Sequence, residues 1–195
     1  RQIVLVDLLK SLSDGPAAVA DLEQAMTGIL SAFRTGKRGF LRGLLCGRRI
    51  DRILFAASKA DHLHHAQHGA LQDLVAALTQ SARDTALFKG ALTSSIAMAA
   101  LRSTVEIDLD RDGQSLPGVK GLALESGRTV GFYPGEFSAA STRVLAQARA
   151  GATQWEGGRF HDQAFAPAPL SLPPGYGPPH IRLDKALQFL IGDVL

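Results

Sequence analysis

Three short apolar runs alternate with two longer segments of helical periodicity, and this alternation limits the fold more than any other feature of the sequence. The apolar runs are residues 3–6, 53–57 and 95–99, and the helical segments are residues 16–33 and 67–88. Such an order predicts parallel crossover units, with helices packed on the faces of one sheet. Strands that are apolar at every position fit a sheet buried on both sides. The predicted class is therefore α/β, with three layers.

The pattern changes after residue 104. Residues 105–109 alternate between apolar and polar side chains, an Asp- and Gly-rich turn follows, and residues 129–133 form a second strand-like run. Together they predict a β-hairpin. Residues 134–179 hold seven of the nine prolines and predict a loop-rich extension, in which Trp155 is expected to act as an anchor. Leucines at helical spacing within residues 181–195 predict a terminal helix.

The expected organisation has three parts: residues 1–104 as the α/β sheet, 105–179 as hairpin and extension, and 180–195 as a helix docked on the domain. Residue 1 is arginine and a strand-like run begins at once, so we expect the C-terminal part of a longer protein. The single cysteine, Cys46, excludes an internal disulfide and favours a reducing, cytoplasmic location. No apolar run approaches the roughly 20 residues of a membrane span. The net charge of +3 is too small to favour nucleic acid.

A polar quartet, Ser58-Lys59-Ala60-Asp61, ends the second apolar run. Ligands of open parallel sheets bind beyond the carboxyl ends of the strands, so a ligand is expected near these side chains. The carboxylate of Asp61 can accept hydrogen bonds from two adjacent N–H groups of guanine, a pair that adenine lacks. The methylene stem of Lys59 can cover the face of the base. The alternative is an ordinary turn with a solvated lysine and aspartate.

Three blocks of the sequence resemble one known family. They are RQIVLVDLLKSLSDGPAA at residues 1–18, LFAASKADHLHHAQH at residues 54–68 and PHIRLDKALQFLIGDVL at residues 179–195, and FYPGE at residues 132–136 agrees as well. In these blocks and their spacing the chain is similar to the YcjX family of bacterial P-loop GTPase-like stress proteins. The resemblance implies that residues 1–104 form the C-terminal half of a Ras-like P-loop domain that binds GTP or GDP. It also implies that the full-length protein hydrolyses GTP.

The same resemblance assigns the nucleotide-binding residues. Ser58, Lys59 and Asp61 occupy the base-specificity motif, with Ser58 where asparagine or threonine is more usual. A serine hydroxyl can still hydrogen-bond, but its reach is shorter. Ala100 and Leu101 follow the third strand, where such domains offer a backbone N–H to the guanine carbonyl.

The Gly-rich phosphate loop of such hydrolases, G-x-x-x-x-G-K-[ST], is not found in the sequence. Gly36-Lys37 is followed by Arg38, and Ser31 stands where the first glycine belongs. No catalytic residue is therefore assigned to this chain, and residues 1–195 alone are predicted not to hydrolyse GTP. Asp7 ends the first strand, where an aspartate can hold Mg²⁺ through water. Because the resemblance implies that the Mg²⁺ ligands lie upstream, we expect Asp7 to cap the following turn instead.

Four histidines within seven positions suggest a metal site: His62, His64, His65 and His68. On a helix, His64 and His68 would share one face, as zinc ligands often do. No acidic residue or thiol stands at suitable spacing nearby, so no metal site is assigned. The alternative is a hydrated helix start with one histidine near the base pocket.

Residues 34–52 carry seven cationic side chains against one acid, Asp51, with apolar residues between them. The alternative function is therefore a nucleotide-sensing scaffold without turnover. Its basic segment would dock on the inner membrane surface or on a membrane protein, as a peripheral contact. A solvated helix face with an apolar underside explains the same pattern. The aromatic residues are too few for a platform that stacks nucleic-acid bases, so no nucleic-acid partner is expected.

Overall fold

The computed structural model describes residues 1–32, 50–136, 141–156, 158–167 and 177–194. A parallel sheet has the strand order β1-β2-β3, with Phe55 of the middle strand opposite Val4 on one side and Ser95 on the other. The three predicted strands are confirmed to within three residues at each end. Their bounds are Gln2–Val6 for β1, Arg52–Ala57 for β2 and Leu92–Ala97 for β3.

Helices cover both faces of this sheet. Alternate residues of β2 point to opposite faces, so Ile53 and Phe55 pack in the larger core while Leu54 and Ala56 pack in the smaller one. The larger core lies under α1 to α5, and the smaller one lies under α6. The helices in the described ranges are α1 (Leu8–Asp14), α2 (Pro16–Ala32), α3 (His68–Leu78), α4 (Gln80–Phe88), α5 (Ser141–Arg149) and α6 (Leu183–Ile191).

Helix α1 is an element that the sequence analysis missed. It begins at Asp7, whose carboxylate accepts a hydrogen bond from the backbone N–H of Lys10 at 3.2 Å, so the predicted cap is confirmed. It ends at Gly15, whose φ of 110° lies in the region that favours glycine. Pro16 then begins α2, as predicted.

The predicted helix over residues 67–88 is two helices that meet at Thr79. The Thr79 hydroxyl donates to the carbonyl of Val75 at 2.7 Å, and this back-bonding bends a helix. Thr79 is buried, and both its backbone N–H and its hydroxyl turn to Val75. The predicted helical period over residues 67–88 is confirmed, but the break between α3 and α4 was not predicted.

The hairpin region forms a separate antiparallel sheet of three strands in the order β4-β5-β6. Asp112 and Gly113 both have positive φ, at 55° and 78°, as the two-residue turn of a tight hairpin requires. The predicted turn is confirmed, but the pairing of its first strand with residues 129–133 was wrong, because an unpredicted strand follows the turn. The strands are β4 (Thr104–Arg111), β5 (Gln114–Leu122) and β6 (Thr129–Phe132).

The extension is less irregular than predicted, because α5 lies within it and packs on α2 and α3. The anchoring role of Trp155 is confirmed: its indole N–H donates to the carbonyl of Leu12 at 2.8 Å, and its ring meets Phe160 edge-on. The terminal helix is confirmed as α6, with Asp184 in its first turn. The division into three parts at residues 104 and 179 stays a prediction.

Two predictions concern parts of the chain that are only partly covered. Residues 34–49 of the basic segment, with Cys46, lie outside the described residues, and so does the membrane or protein contact predicted for them. Among the residues that are described, no helix combines the length and the apolar character needed to cross a bilayer.

Candidate functional site

The loop that follows β2 is tied to both neighbouring strands. The backbone N–H of Ser58 donates to the carbonyl of Val6 at 3.0 Å, and its hydroxyl donates to the same oxygen at 3.3 Å. The N–H of Ala60 donates to the carbonyl of Met98 at 3.1 Å. The predicted quartet therefore lies across the carboxyl ends of all three parallel strands.

Asp61 is the most enclosed member of the quartet, at 4% exposure. Its Oδ2 accepts hydrogen bonds from the backbone N–H of Ser103 at 2.8 Å and from the Ser103 hydroxyl at 2.5 Å. The hydroxyl of Thr104 donates to the Asp61 carbonyl. The two bonds from Ser103 fix the orientation of the carboxylate, and the bond from Thr104 holds the backbone of Asp61, while Oδ1 accepts no hydrogen bond from the described residues.

Lys59 turns in the other direction, toward the end of β1. Its backbone is left-handed, with φ 60° and ψ 32°, and its Nζ lies 2.7 Å from Oδ2 of Asp7. Both side chains are roughly one third exposed. Asp7 thus uses one carboxylate oxygen to cap α1 and the other to hold the ammonium of Lys59.

The predicted backbone donors at Ala100 and Leu101 lie on the loop that leads to Ser103. Ala99 pairs with Ile181 through two backbone bonds of 3.1 and 2.8 Å, and the N–H of Arg102 donates to the carbonyl of Pro179 at 2.8 Å. Between these fixed points Ala100 is exposed, and neither its N–H nor that of Leu101 has an acceptor within the described part of the chain. The structure therefore brings this loop and Asp61 to one edge of the sheet, linked through Ser103.

The sequence analysis missed Ser103, Thr104 and the ion pair between Asp7 and Lys59. A Ser-Thr pair just after the third strand is a weak signal for a hydrogen-bonding loop, and no spacing rule connects residue 61 to residue 103. Asp7 was considered, but only as a cap or a Mg²⁺ ligand. The contacts depend on how the second sheet docks against the first, which local pattern does not reveal.

Two of the four clustered histidines are buried supports of the loop. Nε2 of His68 contacts the carbonyls of Ala60 at 2.7 Å and Leu63 at 3.2 Å, and His62 packs edge-on against Phe165 with ring centres 5.0 Å apart. Burial lowers the pKa of both histidines, because a charged imidazolium loses hydration there. The expected hydrated helix start was wrong for this pair.

The other two histidines meet an acid that is remote in sequence. His64 precedes α3 and does not share a helical face with His68, so the pairing considered from the sequence was wrong. Nδ1 of His65 lies 2.6 Å from Oε2 of Glu106 on β4, and Nε2 of His64 lies 3.8 Å from the same oxygen. No acid stands at suitable spacing in the sequence, but folding brings Glu106 of β4 to both rings.

At the carboxyl edge of the sheet the chain thus offers a fixed carboxylate, a neighbouring cation and two exposed-loop N–H groups. A carboxylate complements adjacent N–H donors, and backbone N–H groups complement a carbonyl. This set suits recognition of a flat heterocycle that carries both.

Comparison with known proteins gives concordant results along the whole chain. The family model described as YcjX-like family, DUF463, matches residues 1–195. The protein named Ras-like GTPase YcjX from Escherichia coli (strain K12) is 38% identical over 195 residues, which is all of this chain and 40% of that protein. The protein of the same name from Shewanella oneidensis is 32% identical over 197 residues, covering 100% of this chain and 39% of that protein. The chain therefore spans about two fifths of the length of these curated relatives.

Proposed function

This chain belongs to the YcjX-like family, and we propose that it forms the base-recognition side of a guanine-nucleotide site in a longer, GTP-hydrolysing protein. Two relatives carry the name Ras-like GTPase, which supports a guanine nucleotide as the ligand. The observation that carries the proposal is Asp61, a nearly enclosed carboxylate at the end of a parallel strand with one oxygen held by Ser103. The Ras-like P-loop fold of the longer protein is part of the proposal.

Asp61 reads the base. Oδ1, which accepts no bond from the described residues, accepts from the ring N–H and the exocyclic amine of guanine, which adenine does not present together. The two bonds from Ser103 hold the carboxylate in one orientation, so little side-chain freedom is lost when the base binds. The charge on the acceptor strengthens both contacts.

Lys59 and the loop with Ala100 and Leu101 complete the recognition surface. The ion pair with Asp7 extends the lysine stem across the carboxyl end of β1, where its methylene groups can cover one face of the base. The N–H groups of Ala100 and Leu101 are available to the guanine carbonyl. Ser58 holds the loop in position, because its hydroxyl donates a hydrogen bond to the carbonyl of Val6.

The described residues at the end of β1 do not fit a Mg²⁺ site. Asp7 is the carboxylate nearest to that position in the sequence, and its two oxygens are engaged by Lys59 and by the N–H of Lys10. The proposal therefore assigns the Mg²⁺ ligands and the phosphate loop to the remainder of the longer protein. The role of this chain is to choose and hold the base.

Replacing Asp61 by asparagine in the full-length protein tests the proposal. Ser103 presents two donors, so the amide oxygen of Asn turns to Ser103 and the NH₂ group takes the place of Oδ1. That group opposes a donor of guanine, and GTP affinity should fall by about 2–4 kcal/mol, or roughly 30- to 1,000-fold. Xanthine has a carbonyl in place of the guanine amine, so the Asp61→Asn protein should gain XTP binding. Titration of both nucleotides measures the change.

Asp73→Asn is the matched control, because Asp73 is exposed on α3. It should bind GTP as the wild type does. A folded Asp61→Asn protein with unchanged GTP affinity would reduce the quartet to a strand-end turn.

A further inference from the structure

Two adjacent histidines and a glutamate converge beside the base-recognition loop, and no step of the proposed function uses them. His64 is extended, with φ −64° and ψ 146°, and His65 opens a short 3₁₀ turn. Both imidazole rings lie on the same side, with centres 4.2 Å apart and planes inclined by 36°. Glu106 reaches them from the third position of β4.

Hydrogen bonds between Asp61 and the start of β4 hold Glu106 close to the two histidines. Ser103 and Thr104 bond Asp61 at the start of β4, so the strand that carries Glu106 is docked against the loop that carries the histidines. The three groups therefore do not meet by the chance extension of long surface side chains. Their ligand atoms all lie within 4.8 Å of one another.

From this geometry we propose that His64, His65 and Glu106 form a binding site for a divalent transition metal, with Zn²⁺ as the best match. Zn²⁺ takes imidazole nitrogens and carboxylate oxygens at about 2.0–2.2 Å, and tetrahedral ligand atoms then stand about 3.4 Å apart. The distance of 3.8 Å between His64 Nε2 and Glu106 Oε2 is close to that value. The distance of 2.6 Å between His65 Nδ1 and the same oxygen has to open by less than about 1 Å.

The surroundings leave one oxygen of Glu106 free to bind the metal, and they leave one coordination position of the metal open to water. Arg102 lies 3.7 Å from Oε1 of Glu106, the oxygen that faces away from the histidines, so Oε2 serves as a single ligand atom. The His65 side chain is 69% exposed, and the fourth position opens to water. Two histidines, one carboxylate and one water form a donor set that Zn²⁺ commonly takes.

Coordination replaces the 2.6 Å bond between His65 and Glu106 with a bond from each group to the metal. Metal at Nδ1 of His65 replaces the proton that faces Glu106, and the ring then carries its proton on the solvent side. Metal at Nε2 of His64 requires a proton on Nδ1, which gives up the bond from the N–H of Ala66. That bond is long, at 3.3 Å. The bound metal would link the loop after β2 to β4 directly.

The test uses full-length protein stripped of metal by a chelator and titrated with Zn²⁺ against a chromophoric competitor, without nucleotide. Glu106→Gln keeps the size of the side chain and removes its charge, and His65→Asn removes an exposed ligand with little risk to folding. We expect each change to abolish one Zn²⁺ equivalent or to weaken it at least about 10-fold. Co²⁺ in place of Zn²⁺ should give the visible absorption of a four-coordinate ion in the wild type and lose it in both variants.

His161→Asn provides the matched control, since His161 is exposed and distant in sequence from the cluster. It should keep the wild-type stoichiometry. Equal Zn²⁺ binding by wild type, Glu106→Gln and His65→Asn would overturn the proposal, and so would a wild-type protein that binds no Zn²⁺. Either result would leave the cluster as an ion pair that docks β4. The outcome is independent of GTP binding, so it does not depend on the proposed function.

Discussion

The parallel sheet and the antiparallel sheet of this chain bury their strands to very different degrees. Every residue from Ile53 to Ala57 in the middle strand β2 is buried, because helices cover both faces. In the antiparallel sheet the middle strand β5 buries Val119, while Val105 on the neighbouring β4 is 60% exposed. The middle strand of the parallel sheet lies inside a core, while the antiparallel sheet is a thin layer with one face toward solvent.

This difference explains where the polar groups collect. The parallel sheet positions the loop after β2, through hydrogen bonds from Ser58 to Val6 and from Ala60 to Met98. The remaining partners of this loop, Ser103 and Glu106, come from the start of the thin sheet. Both candidate sites therefore lie at the junction of the two sheets, where the loop after β2 meets the start of β4. Side chains on β4 can be substituted with less disturbance of the core than side chains on β2.

The largest loss of stability is expected for a substitution in the parallel sheet. Phe55 is fully buried in β2, so Phe55→Ala in the full-length protein should cost about 3–5 kcal/mol. The loss combines the transfer of the ring with the cavity that remains, since the helices over the larger core hold the space open. Native-state hydrogen exchange should show lower protection throughout β1 to β3 and the covering helices.

A matched pair of valines sharpens this comparison. Val6 and Val119 are both buried strand residues, at 1% and 0% exposure, so the lost transfer energy of Val→Ala is about 1.6 kcal/mol in each. The cavity cost should be larger at Val6, which packs in the main core, than at Val119, where the thin sheet can settle into the space. Equal losses at the two positions, measured by exchange, would show that the second sheet is packed as tightly as the first.

The same contrast decides what the sequence alone could predict. Apolar runs and helical periods indicate β1 to β3, α2 and α6, because an element that buries a regular face repeats apolar residues at a regular spacing. Strand β5 was missed because Pro117, Gly118 and Gly121 interrupt its pattern. Pro117 is tolerated because β6 pairs with β5 only from Val119 onward.

Short helices were missed for a related reason. Helix α1 has only seven residues, about two turns, and α5 lies in a Pro-rich stretch without the leucine spacing that marks α6, which is equally long. At the candidate site, the sequence could indicate Ser58, Lys59 and Asp61 because they follow one strand directly. It could not indicate Ser103 or Glu106, which lie about forty residues away along the chain and arrive through tertiary packing.

An intermediate effect, opposite in sign between the two regions, is expected for glycine replacement. A Cβ at Gly118 would collide with the side chain of Leu109 and lie 2.8 Å from the carbonyl oxygen of Phe132. Gly118→Ala should therefore destabilise β4 to β6 by about 1–3 kcal/mol, seen as faster hydrogen exchange in these strands.

Gly69 offers the matched change on the other side of the junction. It lies near the start of α3, and a Cβ there meets nothing within 4 Å. Gly69→Ala should stabilise the protein by about 0.4–1 kcal/mol, because alanine has fewer conformations to lose on folding. Unchanged exchange in β4 to β6 of the Gly118→Ala protein, or a less stable Gly69→Ala protein, would contradict this prediction.

The smallest effect is a dependence of stability on pH that arises from His68, at the start of α3 beside the parallel sheet. Burial lowers the pKa of His68 more than its bonds to the carbonyls of Leu63 and Ala60 raise it, and the charge of Arg182 lowers it further. The unfolded chain therefore takes up a proton first as the pH falls through about 6.5, and His68 contributes less stability below that value. In His68→Gln the amide can still donate to the carbonyl of Ala60 but does not titrate. The melting temperature of the wild type should exceed that of His68→Gln more at about pH 8 than at about pH 5.5, and a gap that stays constant with pH would mean that His68 does not carry the effect.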